Sequence, residues 1–178
     1  GCLPMCGHGT IGTITIAIEE GLIIPKIKGI VKMETPAGLI HVSYKEVHDK
    51  VTSVKLINVA SYLAAEGLKI TSPHLGELIF DVAYGGNFYA IIDPQKNFPG
   101  LEHYTASELV SFSGIIRQLI NEKYEFVHPH DTSIRGCSHV LWTGQTIDKT
   151  ATARNAVFYG DKAIDRSPCG TGTSARMA

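Results

Sequence analysis

One short pattern occurs twice in this chain, as Cys6-Gly7-His8-Gly9-Thr10 near its start and as Cys169-Gly170-Thr171-Gly172-Thr173 near its end. Both read C-G-x-G-T, and chance repetition of four residue types in one order is improbable. An internal repeat is a cue to a duplicated architecture. Each copy places a thiol and two glycines just before a segment that can become a helix. Glycines at a helix start let a ligand approach the backbone closely. The free N–H groups there, with the helix dipole, make an anion site. A cysteine in the same place has its thiolate favoured. Two such units facing one another would hold a carboxylate between two helix starts, with one sulfur on each side. Inversion at an α-carbon requires that arrangement: one thiolate removes the proton from one face and the opposite thiol returns one to the other. Donors on the carboxylate stabilise the charge that builds up between the two steps.

Other uses of these residues are bounded by spacing. No lysine follows either motif, so neither is a phosphate loop of the G-x-x-x-x-G-K-[ST] kind. An alternative draws Cys6, His8, Cys137, His139 and Cys169 into a zinc site, against which the glycine-rich flanks stand. The four cysteines, Cys2, Cys6, Cys137 and Cys169, include no C-x-x-C pair. In a chain of 178 residues they are not the dense pattern of a small secreted scaffold. Reduced thiols are expected, with Cys2 a small buried hydrophobe. A net charge of −1 with no basic run gives no footprint for nucleic acid or an acidic membrane surface. The longest apolar stretches, such as 14–18 and 140–142, are too short to span a bilayer. No signal or transit peptide is recognisable, and a cytoplasmic location is expected. The chain opens at Gly1, directly on a motif, so it is expected to be a fragment of a longer protein.

The pattern of elements reads as α+β. Residues 10–20 are apolar on nearly every side and stop at Gly21, which predicts a helix buried all round. Residues 30–35 and 39–44 flank Pro36-Ala37-Gly38 as a hairpin, and 51–59 alternates as a third strand. Residues 61–67 read as a short helical turn or a linker. Strands are expected at 78–84 and 88–93 around Gly85-Gly86, and another at 153–159. The clearest amphipathic helix is 105–122, with Leu109, Phe112, Ile115, Ile116, Leu119 and Ile120 on one face. From Gly172 onward the chain reads as the first turn of a further helix.

The stretches Met5-Cys6-Gly7-His8-Gly9-Thr10 and Asp165-Arg166-Ser167-Pro168-Cys169-Gly170-Thr171-Gly172-Thr173-Ser174-Ala175-Arg176 resemble the two signature motifs of the proline racemase family. Glu34-Thr35-Pro36-Ala37-Gly38, Gly85-Gly86-Asn87-Phe88-Tyr89-Ala90 and Arg154-Asn155-Ala156-Val157-Phe158 resemble its internal blocks. The resemblance implies a diaminopimelate-epimerase-like fold, two pseudo-symmetric lobes that each wrap a sheet around a central helix, with substrate between them. It implies that residues 1–60 form part of the first lobe, with its central helix after Cys6. Residues 61–178 would then form most of the second, ending at the start of its central helix. It further implies a homodimer, an imino-acid substrate and no cofactor. Residue by residue, Cys6 and Cys169 match the acid/base pair. Gly7, His8, Gly170 and Thr171 match the positions whose amides hold the carboxylate, and His8 and Asp165 match side chains that contact the substrate amine. On spacing alone, His8 stays open between ligand contact and helix cap, and Asp165 reads as a turn residue.

Within the family, dehydratases carry Thr where Cys169 stands, so the resemblance argues against dehydration. Proline and 4-hydroxyproline are separated by the pocket around ring atom C4, since a buried hydroxyl needs a partner. Gly136-Cys137-Ser138-His139 resembles the ring-recognition stretch, and His139 would be that partner. Tyr159 sits where racemases tend to place Phe. The expectation is therefore inversion at C2 of 4-hydroxyproline, from the trans-L to the cis-D form, with proline as the alternative substrate and a non-catalytic zinc- or amino-acid-binding domain as the distant alternative.

Overall fold

The computed structural model describes residues 3–178. Gly1 and Cys2 lie outside the described residues, and with them the expectation for Cys2. Helix α1 spans Gly7–Glu19 and ends where Gly21 turns left-handed at φ +63°. Three antiparallel strands follow: β1 (Ile30–Thr35), β2 (Gly38–Val47) and β3 (Lys50–Ile57), in the order β1-β2-β3. Gly38 closes the first hairpin at φ +126°, which a side chain would resist. His48 and Asp49 close the second, both left-handed, as a two-residue hairpin turn requires. Strand β2 alternates, so Ile40, Val42 and Tyr44 point to one face and pack with Met5 and Ile14.

Helix α1 has the expected place and a different environment. Only Thr10, Ile14 and Ala17 of it are buried, while Ile11 is 44% and Ile16 58% exposed. One side of α1 lies on β3, and no described element covers the side that carries these isoleucines.

The second sheet has six strands in sequence order: β4 (Tyr62–Ser72), β5 (Gly76–Tyr84), β6 (Phe88–Ile92), β7 (His139–Gly144), β8 (Arg154–Tyr159) and β9 (Ala163–Ile164). All pairs are antiparallel except β6 and β7, which run parallel and are joined through helix α2 (Ala106–Lys123). Thr105 and Glu108 form a reciprocal capping box at the start of α2. Its buried face, Leu109, Ser113, Ile116 and Ile120, lies on the sheet, and the Trp142 indole N–H donates to Ser113 Oγ at 2.8 Å. Phe80, Phe88, Phe98, Trp142 and Phe158 fill that side. Each such burial is worth about 1.5–3 kcal/mol. Helix α3 (Gly170–Arg176) covers the opposite face, packing Cys169 and Ala175 onto Ala83, Tyr89, Leu141 and Val157.

Residues 61–67 are neither a helical turn nor a linker, because β4 begins at Tyr62. Two register shifts, between Leu63 and Ala65 and between Ala65 and Leu68, break the two-residue alternation. At the second, the left-handed Gly67 donates its N–H to Asp81 Oδ1 at 2.8 Å. Strand β7 also departs from the sequence reading, which noted only an apolar run there. Sheet neighbours and both helices bury it on two faces, so no alternation marks it. Among the described residues no helix is long and apolar enough to cross a membrane.

Candidate active site

The two C-G-x-G-T segments fold alike. Cys6 is the N-cap of α1, and its Sγ accepts the Gly9 N–H at 3.3 Å while its carbonyl accepts the Thr10 N–H at 2.9 Å. Cys169 caps α3 through its backbone alone: its carbonyl accepts the Thr173 N–H at 2.7 Å, and its side chain makes no cap hydrogen bond. A helix start leaves its first N–H groups without intrahelical partners. Cys6 satisfies the third and fourth at its start, and Cys169 satisfies the fourth. The amides of Gly7 and His8, and of Gly170 and Thr171, have no protein acceptor among the described residues. The second glycine of each motif makes room for the sulfur. A Cβ on Gly9 would lie 3.4 Å from Cys6 Sγ, and one on Gly172 only 3.0 Å from Cys169 Sγ.

The residues that carry both sets of free amides line one cleft of about 370 Å³. Gly7, His8 and Ile11 line it from α1, and Ser167, Gly170 and Thr171 from α3 and its approach. Leu56 and Asn58, at and beyond the end of β3, close a third side. Asn58 Nδ2 donates to the Gly85 carbonyl at 2.8 Å and to Ser174 Oγ at 3.2 Å, tying the exit of the first sheet to α3. Helix α3 sits close on the β5–β6 turn, where a Cβ on Gly85 would fall 2.2 Å from the Thr171 carbonyl oxygen. Only glycine admits that approach. His8 is exposed and lines the cleft, and the helix cap is Cys6 instead.

A second cluster surrounds Cys169, which is buried and held at φ +56°. That left-handed backbone costs roughly 1–2 kcal/mol for a residue with a side chain. Burial pushes the Cys169 thiol up; the Tyr89 hydroxyl and the Gly172 amide pull it down, and the Asp165 carboxylate nearby raises it. Tyr89 OH lies 3.5 Å from Cys169 Sγ and 2.5 Å from Thr171 Oγ1. Asp165 Oδ1 accepts the Ser167 N–H at 2.8 Å and Ser167 Oγ accepts the Cys169 N–H at 3.0 Å, a relay of turns leading into α3. His139 pairs with Tyr89 across β6 and β7, with ring centroids 4.5 Å apart, and Tyr159 stacks beyond it at 6.5 Å. Burial, reinforced by the Arg117 charge and opposed by Asp165, lowers His139 to about 4, so the imidazole is neutral near neutral pH. Its Nδ1 shares a 2.7 Å hydrogen bond with Ser138 Oγ.

The structure thus gathers Gly7, His8, Gly170 and Thr171 on one cleft, and places Asp165 and His139 in the side-chain cluster around Cys169. Cys137 belongs to neither. It is buried among carbonyl groups, its Sγ 3.3 Å from the His139 oxygen, and burial pushes its thiol up to about 12. Among the described residues no group of three or more His, Cys, Asp and Glu side chains is placed to hold a metal, so the alternative zinc set does not converge. Sequence reasoning missed Asn87. Its buried Nδ2 donates to the Met5 carbonyl at 2.8 Å and to Thr171 Oγ1 at 3.4 Å, joining the approaches to both cysteines. It also missed the partnership of Tyr89 with Cys169. Both residues were visible in the Gly85–Ala90 block, Asn87 in the turn before β6 and Tyr89 on β6 itself.

A cleft flanked by two glycine-opened helix starts, each capped by a cysteine, defines a chain of the diaminopimelate-epimerase-like fold, and the family follows from comparison. The proline racemase family model matches residues 1–178, and the chain belongs to that family. It is 65% identical over its whole length to a 4-hydroxyproline 2-epimerase of Spirosoma linguale, of which it covers 53%. Its fold matches a crystal structure of a hydroxyproline epimerase from Agrobacterium vitis with bound trans-4-hydroxy-L-proline, at a TM-score of 0.86 and 29% identity. That match covers 98% of this chain and 51% of the other. A probable proline racemase from Agrobacterium radiobacter K84, with bound carbonate, matches at 0.86 and 30% identity over the same shares. The chain therefore spans about half the length of the curated relatives it matches.

Proposed function

We propose that this chain carries the two acid/base cysteines of a cofactor-independent 4-hydroxyproline 2-epimerase, which interconverts trans-4-hydroxy-L-proline and cis-4-hydroxy-D-proline. The observation that carries the reading is the set of four unpartnered amides, Gly7, His8, Gly170 and Thr171, on one cleft between two cysteine-capped helix starts. The substrate carboxylate accepts from these amides. With Cys6 and Cys169 on opposite faces of the α-carbon, one thiolate takes the α-proton and the electron pair passes into the carboxylate. The other thiol then gives its proton to the opposite face, so the enzyme ends with its two protonation states exchanged. Amides already pointed at the carboxylate stabilise the charge at its peak without reorganising. His8 and Asp165 are assigned to the substrate amine.

The ring hydroxyl is assigned to His139. A neutral imidazole held by Ser138 Oγ hydrogen-bonds a hydroxyl, and its burial makes an unfilled bond costly. Racemisation of proline is the second reading, favoured by the apolar Tyr89, Leu141 and Val157 beside Cys169. We divide the lobes between residues 60 and 61, a reading supported by the passage of the chain from the three-stranded sheet to the six-stranded one between Ile57 and Tyr62. A cytoplasmic homodimer is the expected assembly. The test is α-proton exchange in deuterated water with the full natural protein, using trans-4-hydroxy-L-proline and proline. Inversion with solvent deuterium incorporation is expected, together with preference for the hydroxylated ring. Unchanged inversion in Cys6→Ala or Cys169→Ala would end the two-base reading. An unchanged substrate ratio in His139→Ala would remove His139 from ring recognition.

A further inference from the structure

The buried side chains behind Cys169 form a continuous line: Asn87 Nδ2 to Thr171 Oγ1 at 3.4 Å, Thr171 Oγ1 to Tyr89 OH at 2.5 Å, and Tyr89 OH to Cys169 Sγ at 3.5 Å. We propose that Asn87, Thr171 and Tyr89 are a donor relay that ends on the Cys169 sulfur and favours its thiolate against the opposing effect of burial, with Tyr89 the positioning residue that makes the final contact. The inference rests on the two-cysteine reading only for its consequence in catalysis; the relay itself is a property of the folded chain.

The direction of the line follows from what each group can do. The Asn87 NH₂ has only donors to offer, so it gives to Thr171 Oγ1. Thr171 is then best satisfied by giving its own proton to the Tyr89 oxygen, which frees the Tyr89 proton for the sulfur. A thiolate completes the chain as a terminal acceptor. A thiol is a poorer end to the line: it accepts only weakly from Tyr89 while its own proton turns elsewhere, or it gives that proton to Tyr89 and leaves Thr171 accepting from both neighbours. Hydrogen bonds to a charged group are the stronger kind, and a chain of them polarises its members. Tyr89 itself stays a neutral donor, since burial, first, and the adjacent Cys169 push its phenol far above the ordinary range. The relay opposes the burial of Cys169. The other titratable groups facing this line are Asp165, which raises the Cys169 thiol, and His139 on the Tyr89 ring, with Tyr159 and Arg117 behind it. Among the described residues Cys6 has no counterpart: its exposed sulfur accepts from the Gly9 amide.

The test is the pH dependence of iodoacetamide alkylation in the full natural protein, read peptide by peptide so that Cys6 and Cys169 are followed in one sample. In Tyr89→Phe the Cys169 midpoint is expected to rise by roughly one pH unit, which is about tenfold less thiolate at a given pH below the midpoint. The Cys6 midpoint stays where it was. Thr171→Val, which cuts the line one step back and keeps the Tyr89 hydroxyl, is expected to move Cys169 the same way by less. An unmoved Cys169 midpoint in a folded Tyr89→Phe protein overturns the relay, as does an equal movement of both cysteines. Should Tyr89→Phe fail to fold, Thr171→Val decides alone by the same two outcomes. Alkylation needs no turnover, so a relay that survives while α-proton exchange is absent discards the epimerase reading alone, and the converse discards the relay alone.

Discussion

The two C-G-x-G-T segments share local geometry and differ in nearly everything around it. Each cysteine caps a helix with its carbonyl and leaves the first two amides free, and Cys6 also takes the amide of the second glycine on its sulfur. Yet Cys6 is exposed, in extended backbone, at the head of a helix that leaves Ile11 and Ile16 uncovered. Cys169 is buried, left-handed, and packed between β5, β6 and the Tyr89 ring. Donor geometry is therefore a property of the motif, whereas the electrostatic setting of each sulfur belongs to the sheet behind it. A reaction that uses both sulfurs in alternation must balance two unlike environments.

Removing either sulfur makes the largest expected difference. Cys6→Ala and Cys169→Ala should each lower inversion by about 10²–10⁴-fold, the usual worth of a positioned acid or base. A polarimetric assay in which one variant alone lost activity would break the comparison. Next comes the second glycine. Gly172→Ala pushes a methyl against Cys169 Sγ, Tyr89 and Leu141 at 3.0–3.2 Å, and overpacking of that kind costs about 1–3 kcal/mol. Gly9→Ala meets Cys6 Sγ at 3.4 Å in a more open place and should cost less. Urea denaturation of both variants ranks them, and an equal loss would mean that the two sites are equally tight.

A third difference is acid sensitivity, carried by His139 on the Cys169 side. Its folded value is lowered from 6.5 to about 4, so the unfolded chain takes the proton first as pH falls. Stability is fully retained above that window and lost as pH drops through it, by roughly 1–2 kcal/mol between neutrality and about pH 5. His139→Gln should flatten this part of the stability curve measured by denaturant titration, and an unchanged slope would place the sensitivity elsewhere. The smallest effect is on reactivity. At pH 7–8 iodoacetamide should label Cys6 several-fold faster than Cys169, since one sulfur is exposed and the other is both buried and pushed up. Mass spectrometry of brief labelling checks the order, and faster labelling of Cys169 would show that Tyr89 more than offsets burial.

Much of this arrangement is written locally. Helix α2 is legible because Thr105 and Glu108 cap it and its apolar residues recur at helical spacing. The hairpin of β1 and β2 is legible from Gly38 and the alternation on either side. Strand β4 is not, because its two bulges erase the alternation that identifies a strand, and β7 is not, because burial on both faces makes His139–Thr143 look uniform. Among site residues, the cysteines and their glycines stand out by repetition. Asn87 and Tyr89 do not, since their roles depend on Met5, Thr171 and Cys169, which lie more than 75 residues away in sequence.

By itself the sequence determined the paired helix starts, the cysteines that cap them and the amides left free, because capping and glycine geometry act over four or five residues. The tertiary structure alone decided that both starts line one cleft, that Cys169 is buried while Cys6 is exposed, and that a line of hydroxyls ends on the Cys169 sulfur. Those are matters of which distant segments meet across a sheet, and burial and hydrogen bonding, which set the balance of a proton on sulfur, exist only once they have met.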